Sequence, residues 1–118
     1  MSAVIERSSF PADADGEVLY RLALKGIDLS QKRKIEFYCY ASSRDTAAEI
    51  AEDLATYGYD PRIAIDDDDG ASETTISVYA EINMLPDYEL LIIEQKRLDV
   101  ILKRYGTRCD GWGSLLPQ

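Results

Sequence analysis

The sequence predicts an α+β fold of the ferredoxin-like plan: a βαββαβ antiparallel sheet with two helices on one face, plus an extra N-terminal helix. Two segments alternate between apolar and polar residues, which is typical of half-buried strands. Two others repeat apolar residues at helical spacing and end at a glycine. Their order along the chain, together with short strand signals between and after them, predicts this architecture.

The extra N-terminal helix begins at Asp13 or Asp15, since either aspartate can cap it, and Gly26 ends it. One face of this helix is apolar and consists of Val18, Leu19, Leu22 and Ala23. The small and polar residues before it predict a flexible N-terminus over residues 1–12. Residues 13–118 are predicted to form one domain, because 118 residues are too few for two domains of ordinary size.

The first strand and the second helix come next. Residues 34–41 alternate as a half-buried strand. The residues on its inward side are Ile35, Phe37 and Cys39, and those on its outward side include Tyr38 and Tyr40. Ser42 or Ser43 caps the following helix, and Gly58 ends it. The predicted apolar face of this helix is Ala47, Ile50, Ala51, Leu54 and Tyr57.

A β-hairpin is predicted from two strands around an acidic turn. The first strand, 59–65, contains Pro61, which cannot donate a hydrogen bond to a sheet and therefore indicates an edge strand. Residues 66–70 form the turn, and 74–84 alternate as the second strand. Tyr79 lies on the outward side of this second strand, together with its polar residues.

The last helix begins at Pro86–Asp87 and ends at Gly106. Its apolar stripe is Leu91, Leu98, Ile101, Leu102 and Tyr105. Residues 107–110 are predicted to add a short last strand. In the ferredoxin-like plan the first and last strands are neighbours, so Cys39 and Cys109 are expected to lie near each other as two thiols.

Composition excludes several classes of function. There are 13 basic and 22 acidic residues, which gives a net charge of −9. The negative electrostatic field of the protein therefore opposes binding to nucleic acid. The chain has no histidine and only two cysteines, which leaves no metal site, no cofactor motif and no activated nucleophile. Apolar runs are too short for a signal peptide or a membrane span. We therefore expect a cytoplasmic protein that is not an enzyme.

Two groups of residues are candidates for binding a protein partner. The first group is the acidic turn Asp66, Asp67, Asp68 and Asp69, which is either a solvated hairpin tip or a contact surface for a basic partner. The second group is Tyr38, Tyr40 and Tyr79, predicted to share the outward face of the sheet. Tyrosine is a good β-former at half-exposed positions, but it is also enriched at the energetic centres of protein interfaces.

The segment after the last helix is a third candidate. It consists of Asp110, Gly111, Trp112 and Gly113. Glycines permit close approach of neighbouring groups, so the tryptophan ring can fold back over the end of the core. Two alternatives follow: Trp112 closes the core, or it is partly exposed and contributes to a binding surface.

With this segment the sequence resembles the RraB family, protein inhibitors of the endoribonuclease RNase E. The residues that carry the resemblance are the run Cys109-Asp110-Gly111-Trp112-Gly113-Ser114, the stripe Leu98, Ile101, Leu102 and Tyr105, the strand opening Ile35-Glu36-Phe37 and the helix end Tyr57-Gly58-Tyr59. The similarity covers roughly residues 15–115. It implies a ferredoxin-like domain without catalytic activity that binds RNase E and alters RNA decay by protein–protein contact.

The sequence departs from the family pattern at the end of the domain. Cys109 stands where an aromatic residue is usual, and Ser114 stands where threonine is usual. Typical members carry an acidic tail after this motif, whereas residues 115–118 are not acidic. We hypothesise that the acidic turn, 66–69, substitutes for such a tail.

Two alternative functions remain at this stage. An acidic domain of this kind also suits another basic partner, as an immunity or toxin-neutralising module would. A ferredoxin-like dimer that binds a small molecule between sheet and helices is the other alternative. The exposed tyrosines and the edge strand permit a weak homodimer, although the negative charge opposes it.

Overall fold

Four strands form one antiparallel sheet, and three α-helices pack against it, in the computed structural model, which describes residues 4–67 and 74–114. The helices are α1 (Ala14–Leu24), α2 (Arg44–Thr56) and α3 (Tyr88–Leu102), and the strands are β1 (Arg33–Ala41), β2 (Asp60–Asp67), β3 (Thr74–Met84) and β4 (Gly111–Ser114). The strand order is β2-β3-β1-β4. This arrangement confirms the α+β class and is compatible with the ferredoxin-like plan.

The hydrophobic core lies between the helices and one face of the sheet. Strand register places Phe37 of β1 opposite Ala80 of β3 on one side and opposite Trp112 of β4 on the other. All three residues are buried, as are the inward residues Ile35 and Cys39. The helices contribute Leu19, Leu22, Ala47, Ile50, Leu54, Leu91, Leu98 and Leu102 to the same core. The alternation in the sequence therefore predicted correctly which face of β1 and β3 is buried.

Each helix begins at the kind of capping residue that the sequence indicates. The carboxylate of Asp13 accepts a hydrogen bond from the backbone amide of Gly16 at 2.8 Å. The hydroxyl of Ser43 accepts one from the amide of Thr46 at 3.1 Å. Such caps satisfy amide groups that have no partner within the first helical turn. The helix starts proposed from Asp13 and Ser43 are confirmed.

Two local expectations differ from the structure. The last strand is Gly111–Ser114 and not 107–110, so Trp112 is a strand residue that pairs with β1. Tyr57, assigned to the apolar face of α2, is 50% exposed, because it follows the last helical turn at the C-cap. The neighbouring Tyr59 is buried instead.

The edge position of β2 is confirmed, with Pro61 within it. The N-terminal segment contacts α1: Arg7 forms a salt bridge of 2.7 Å with Glu17 and donates a hydrogen bond to the carbonyl of Pro11. Whether residues 1–12 are flexible in solution stays a prediction. Across the described ranges, no helix is both long and apolar enough to cross a membrane.

Candidate functional site

Three tyrosines lie together on the sheet face that points away from the core, and we call them the tyrosine face: Tyr38, Tyr40 and Tyr79. The ring of Tyr38 is 6.0 Å, centroid to centroid, from the rings of both Tyr40 and Tyr79. Tyr38 and Tyr79 are directly opposite each other on β1 and β3. Tyr40 is 47% exposed, and the other two are partly buried. The structure thus brings together the three tyrosines that the sequence placed on one face.

The charges beside the tyrosine face are mostly negative. The guanidinium of Arg62 lies 4.0 Å from the ring centroid of Tyr79 and forms a salt bridge of 3.3 Å with Glu36. Lys34 is 4.0 Å from the carboxylate of Glu81. The alternating outward positions of β1, β2 and β3 carry two cations, Lys34 and Arg62, and four carboxylates, Glu36, Asp60, Asp66 and Glu81. Both cations are therefore engaged by carboxylates of the same face.

Asp110 and Gly111 adjoin the tyrosine face at the β4 edge of the sheet. The backbone amide of Asp110 donates a hydrogen bond of 2.8 Å to the carbonyl of Tyr38. A Cβ atom on Gly111 would lie 2.7 Å from the Tyr38 hydroxyl oxygen, so the ring covers this glycine and would have to shift for a larger residue. Burial, and then the negative charge of Asp110, raise the pKa of Tyr38 above its usual value. Tyr38 is therefore a neutral hydroxyl at physiological pH.

Trp112 closes the core, which is the first of the two alternatives left by the sequence. Its side chain is 7% exposed and packs with the buried cluster. Its indole Nε1 donates a hydrogen bond of 2.8 Å to a carboxylate oxygen of Asp15 in α1. The side-chain amide of Gln95 in α3 donates to the same oxygen at 3.3 Å. Asp15 thus joins β4 to two helices, a role that sequence reasoning missed.

A cleft of about 320 Å³ connects these features at the β4 edge. It is lined by residues of α1, α3, β1 and the last strand, including Asp15, Val18, Tyr38, Gln95, Asp110 and Trp112. The structure therefore brings Tyr38, Asp110, Gly111 and Trp112 into one region, continuous with Tyr40 and Tyr79. The cleft offers carboxylate, amide and hydroxyl oxygens beside aromatic surface, which suits hydrogen bonding to a partner chain.

The remaining predicted residues lie elsewhere. Gly113 pairs with Glu36 across β4 and β1, with open space where its side chain would be. Asp66 and Asp67 lie at the end of β2, the opposite edge of the sheet from β4. Asp68 and Asp69 lie outside the described residues. Asp66 and Asp67 are thus separated from the segment 110–113 by the width of the sheet.

Both cysteines are free thiols within the core region. Burial raises the pKa of Cys39 to about 12 and that of Cys109 to about 11. Both thiols are therefore protonated at neutral pH, which makes them poor nucleophiles and poor metal ligands. In the part of the chain that the structure describes, no cluster of three or more acidic or cysteine side chains has the arrangement to hold a metal ion.

Comparison with known proteins adds one finding. A family model described as "Regulator of ribonuclease activity B" matches residues 12–114, which include all three helices and all four strands. A search of curated proteins found no match. The matched range also contains the tyrosine face, the acidic turn and the segment 110–113.

Proposed function

The chain belongs to the RraB family, regulators of ribonuclease activity, and on that premise we propose that it binds the endoribonuclease RNase E and modulates RNA decay without catalysis of its own. The domain is then a ferredoxin-like scaffold that presents a docking surface. Regulation follows from occupying a surface of the nuclease that RNA or other protein partners need.

The observation that carries the proposal is the exposed, acidic tyrosine face. Tyrosine rings supply large contact areas at little cost in conformational entropy and are frequent at the energetic centres of interfaces. The four carboxylates around the rings favour a positively charged partner and accelerate its approach. We therefore propose that a basic, flexible segment of RNase E lies across Tyr38, Tyr40 and Tyr79 and becomes ordered on binding.

The direct experiment is to measure binding of the purified chain to RNase E of the same organism. The catalytic half and the C-terminal scaffold are assayed separately, each at about 50 mM and about 150 mM salt. We expect saturable binding to one of them, weaker at the higher salt, with slower RNA cleavage by the full nuclease. Absence of binding at about 50 µM would show that the partner is another protein. A pull-down would then test the immunity-type alternative.

Removing two rings of the tyrosine face is expected to weaken binding strongly. The double variant Tyr40→Ala/Tyr79→Ala takes away exposed aromatic area and should lower the affinity for RNase E about tenfold or more. The control is Leu24→Ala, because Leu24 is 55% exposed, close to the 47% of Tyr40, but is the last residue of α1 on the helix side of the molecule. Isothermal titration calorimetry measures both. Equal affinities for the two variants would exclude the tyrosine face as the docking surface.

The acidic turn is expected to contribute through long-range attraction. Replacing Asp66, Asp67, Asp68 and Asp69 by asparagine removes four negative charges with little change in size. We expect a several-fold loss of affinity at low salt and a flatter dependence of affinity on salt concentration. An unchanged affinity and an unchanged salt slope would remove the turn from the interface.

A further inference from the structure

The outward face of α3 is unusually apolar for an exposed helix. Leu90, Ile93 and Val100 are 41%, 60% and 77% exposed. Ile93 and Val100 lie on the side of the helix opposite the buried Leu91 and Leu98, and Leu90 lies at its flank. Their spacing of three and seven residues aligns them along one stripe. Large apolar side chains aligned in this way mark a contact surface more often than isolated exposed residues do.

Four cations flank this stripe, in a chain whose net charge is −9: Lys96, Arg97, Lys103 and Arg104. Arg97 forms a salt bridge of 2.9 Å with Glu94, and Arg104 pairs with Asp53 of α2. Lys96 and Lys103 form no salt bridge with any residue of 4–67 or 74–114. Two carboxylates of α3, Glu89 and Asp99, are also exposed, so cations outnumber exposed carboxylates four to two along α3 and the turn that follows it. This surface is therefore apolar with a net positive charge, on an acidic protein.

The outward face of the neighbouring α2 has the opposite character. Its exposed residues include three carboxylates, Asp45, Glu49 and Glu52, and two small side chains, Ala48 and Ala55. Small residues allow another helix to approach closely, and the carboxylates attract cations. The helix side of the molecule thus contains an acidic half on α2 and a basic, apolar half on α3.

A groove of about 460 Å³ separates these two halves. It is lined by Tyr57 and Asp53 from the α2 side and by Arg97, Val100, Ile101 and Arg104 from the α3 side. Tyr57 is half exposed and Val100 is the most exposed of the apolar α3 residues. The groove therefore combines apolar side chains with the ion pair of Asp53 and Arg104, which joins its two sides.

We propose that a second copy of this chain covers this surface, with α3 of each protomer packed on α2 of its partner about a two-fold axis through the groove. Such an interface is self-complementary, since the contact between a cation-rich α3 and a carboxylate-rich α2 occurs twice in the dimer. Val100 of one protomer enters the groove of the other. Packing α3 on α3 would instead bring Lys96 and Lys103 close to the same lysines of the other protomer, where like charges repel.

The proposed dimer is independent of the nuclease partner and leaves the tyrosine face uncovered. The helices and the tyrosine face lie on opposite sides of the sheet. A dimer through the helices therefore presents two tyrosine faces, pointing away from each other. Two linked docking surfaces raise the apparent affinity for a partner with repeated basic segments.

Sedimentation velocity of the full chain, from about 1 to about 500 µM, tests the proposal. We expect a monomer–dimer equilibrium, and Val100→Glu should raise its dissociation constant at least about tenfold, since it buries a charge in the groove. The control is Ile63→Glu, which places the same charge on an exposed isoleucine of the edge strand β2. A wild-type chain that stays monomeric throughout, or a dimer disrupted only by Ile63→Glu, would overturn the proposal.

Charge exchange tests whether opposite charges on α2 and α3 hold the dimer together. In the variant Lys96→Glu/Lys103→Glu the outward faces of α2 and α3 are both acidic. In the variant Glu49→Lys/Glu52→Lys both faces are basic. Each variant on its own should therefore be monomeric. Mixed in equal amounts they should form a heterodimer, because each α3 again meets an α2 of opposite charge. All four positions are exposed, and circular dichroism verifies that both variants fold. Homodimers of either variant, or no heterodimer in the mixture, would contradict the proposed geometry.

Discussion

Replacing Trp112 by alanine is expected to lower the free energy of unfolding by about 3–5 kcal/mol. The ring is 7% exposed and lies opposite the buried Phe37, so its removal leaves a cavity at the end of the core. It also removes the hydrogen bond to Asp15. Because β4 has only four residues and pairs with β1 alone, few other contacts hold it in place. Denaturant unfolding followed by circular dichroism measures the loss.

The variant Trp112→Phe separates the packing contribution from the hydrogen bond. Phenylalanine retains most of the apolar ring but has no N–H, so we expect a smaller loss of about 1–2 kcal/mol. Trp112 is the only tryptophan, and its fluorescence reports directly on its surroundings. A core position predicts blue-shifted emission in the native protein and a red shift on unfolding. Red-shifted emission from the native protein, typical of a ring in water, would assign Trp112 to the surface. A loss of less than about 1 kcal/mol in the free energy of unfolding for Trp112→Ala would do the same.

The glycines beside Trp112 explain why the sequence alone left its position open. A tryptophan between two glycines is compatible with a loop or with a strand, since glycine adopts either conformation. The deciding contacts are non-local: Tyr38 covers Gly111, and Asp15 binds the indole from a position 97 residues away. Neither contact has a local signature, so the sequence predicts the last strand a few residues earlier than the structure has it.

Features that depend on short-range chemistry were predicted well. Alternation assigned Tyr38, Tyr40 and Tyr79 to one face, because successive strand residues must point to opposite sides of a sheet. Capping chemistry located the starts of α1 and α2 within a residue or two. Pro61 indicated an edge strand because it lacks an amide hydrogen, and β2 is at the edge.

Which charged side chains of the candidate surfaces are paired depends on contacts in space, so the sequence predicts these pairs only in part. Arg97 pairs with Glu94 within α3, a spacing the sequence shows, whereas Arg104 pairs with Asp53 of α2, a contact that no local pattern indicates. The stacking of Arg62 on Tyr79 had no sequence signal, because it joins outward positions of β2 and β3 through a register that the sequence does not specify. Periodicity likewise shows which residues of α3 face outward but not whether a neighbour covers them.

Gly16→Ala is expected to destabilise the protein by about 1–3 kcal/mol, although alanine is normally the better helix residue. Gly16 is buried in the first turn of α1. A Cβ atom added there would lie 1.9 Å from the carbonyl oxygen of Pro11 and 2.7 Å from its carbonyl carbon. Both are backbone atoms, so the whole N-terminal segment has to move. Its contacts with α1, the salt bridge of Arg7 with Glu17 and the packing of Phe10 on Tyr20, are then weakened.

Two further variants test whether this close approach is the cause. Gly113→Ala introduces the same methyl group where no atom lies within 4 Å, so stability should change by less than about 0.5 kcal/mol. Arg7→Ala removes the hydrogen bond that holds the Pro11 carbonyl in place. Once the N-terminal segment is released, Pro11 can move away from the added Cβ at a lower cost in free energy. Gly16→Ala should therefore lower the free energy of unfolding by less in the double variant than alone. A stabilising Gly16→Ala would show that residues 7–11 do not pack on α1 in solution, since alanine's helical preference would then act unopposed.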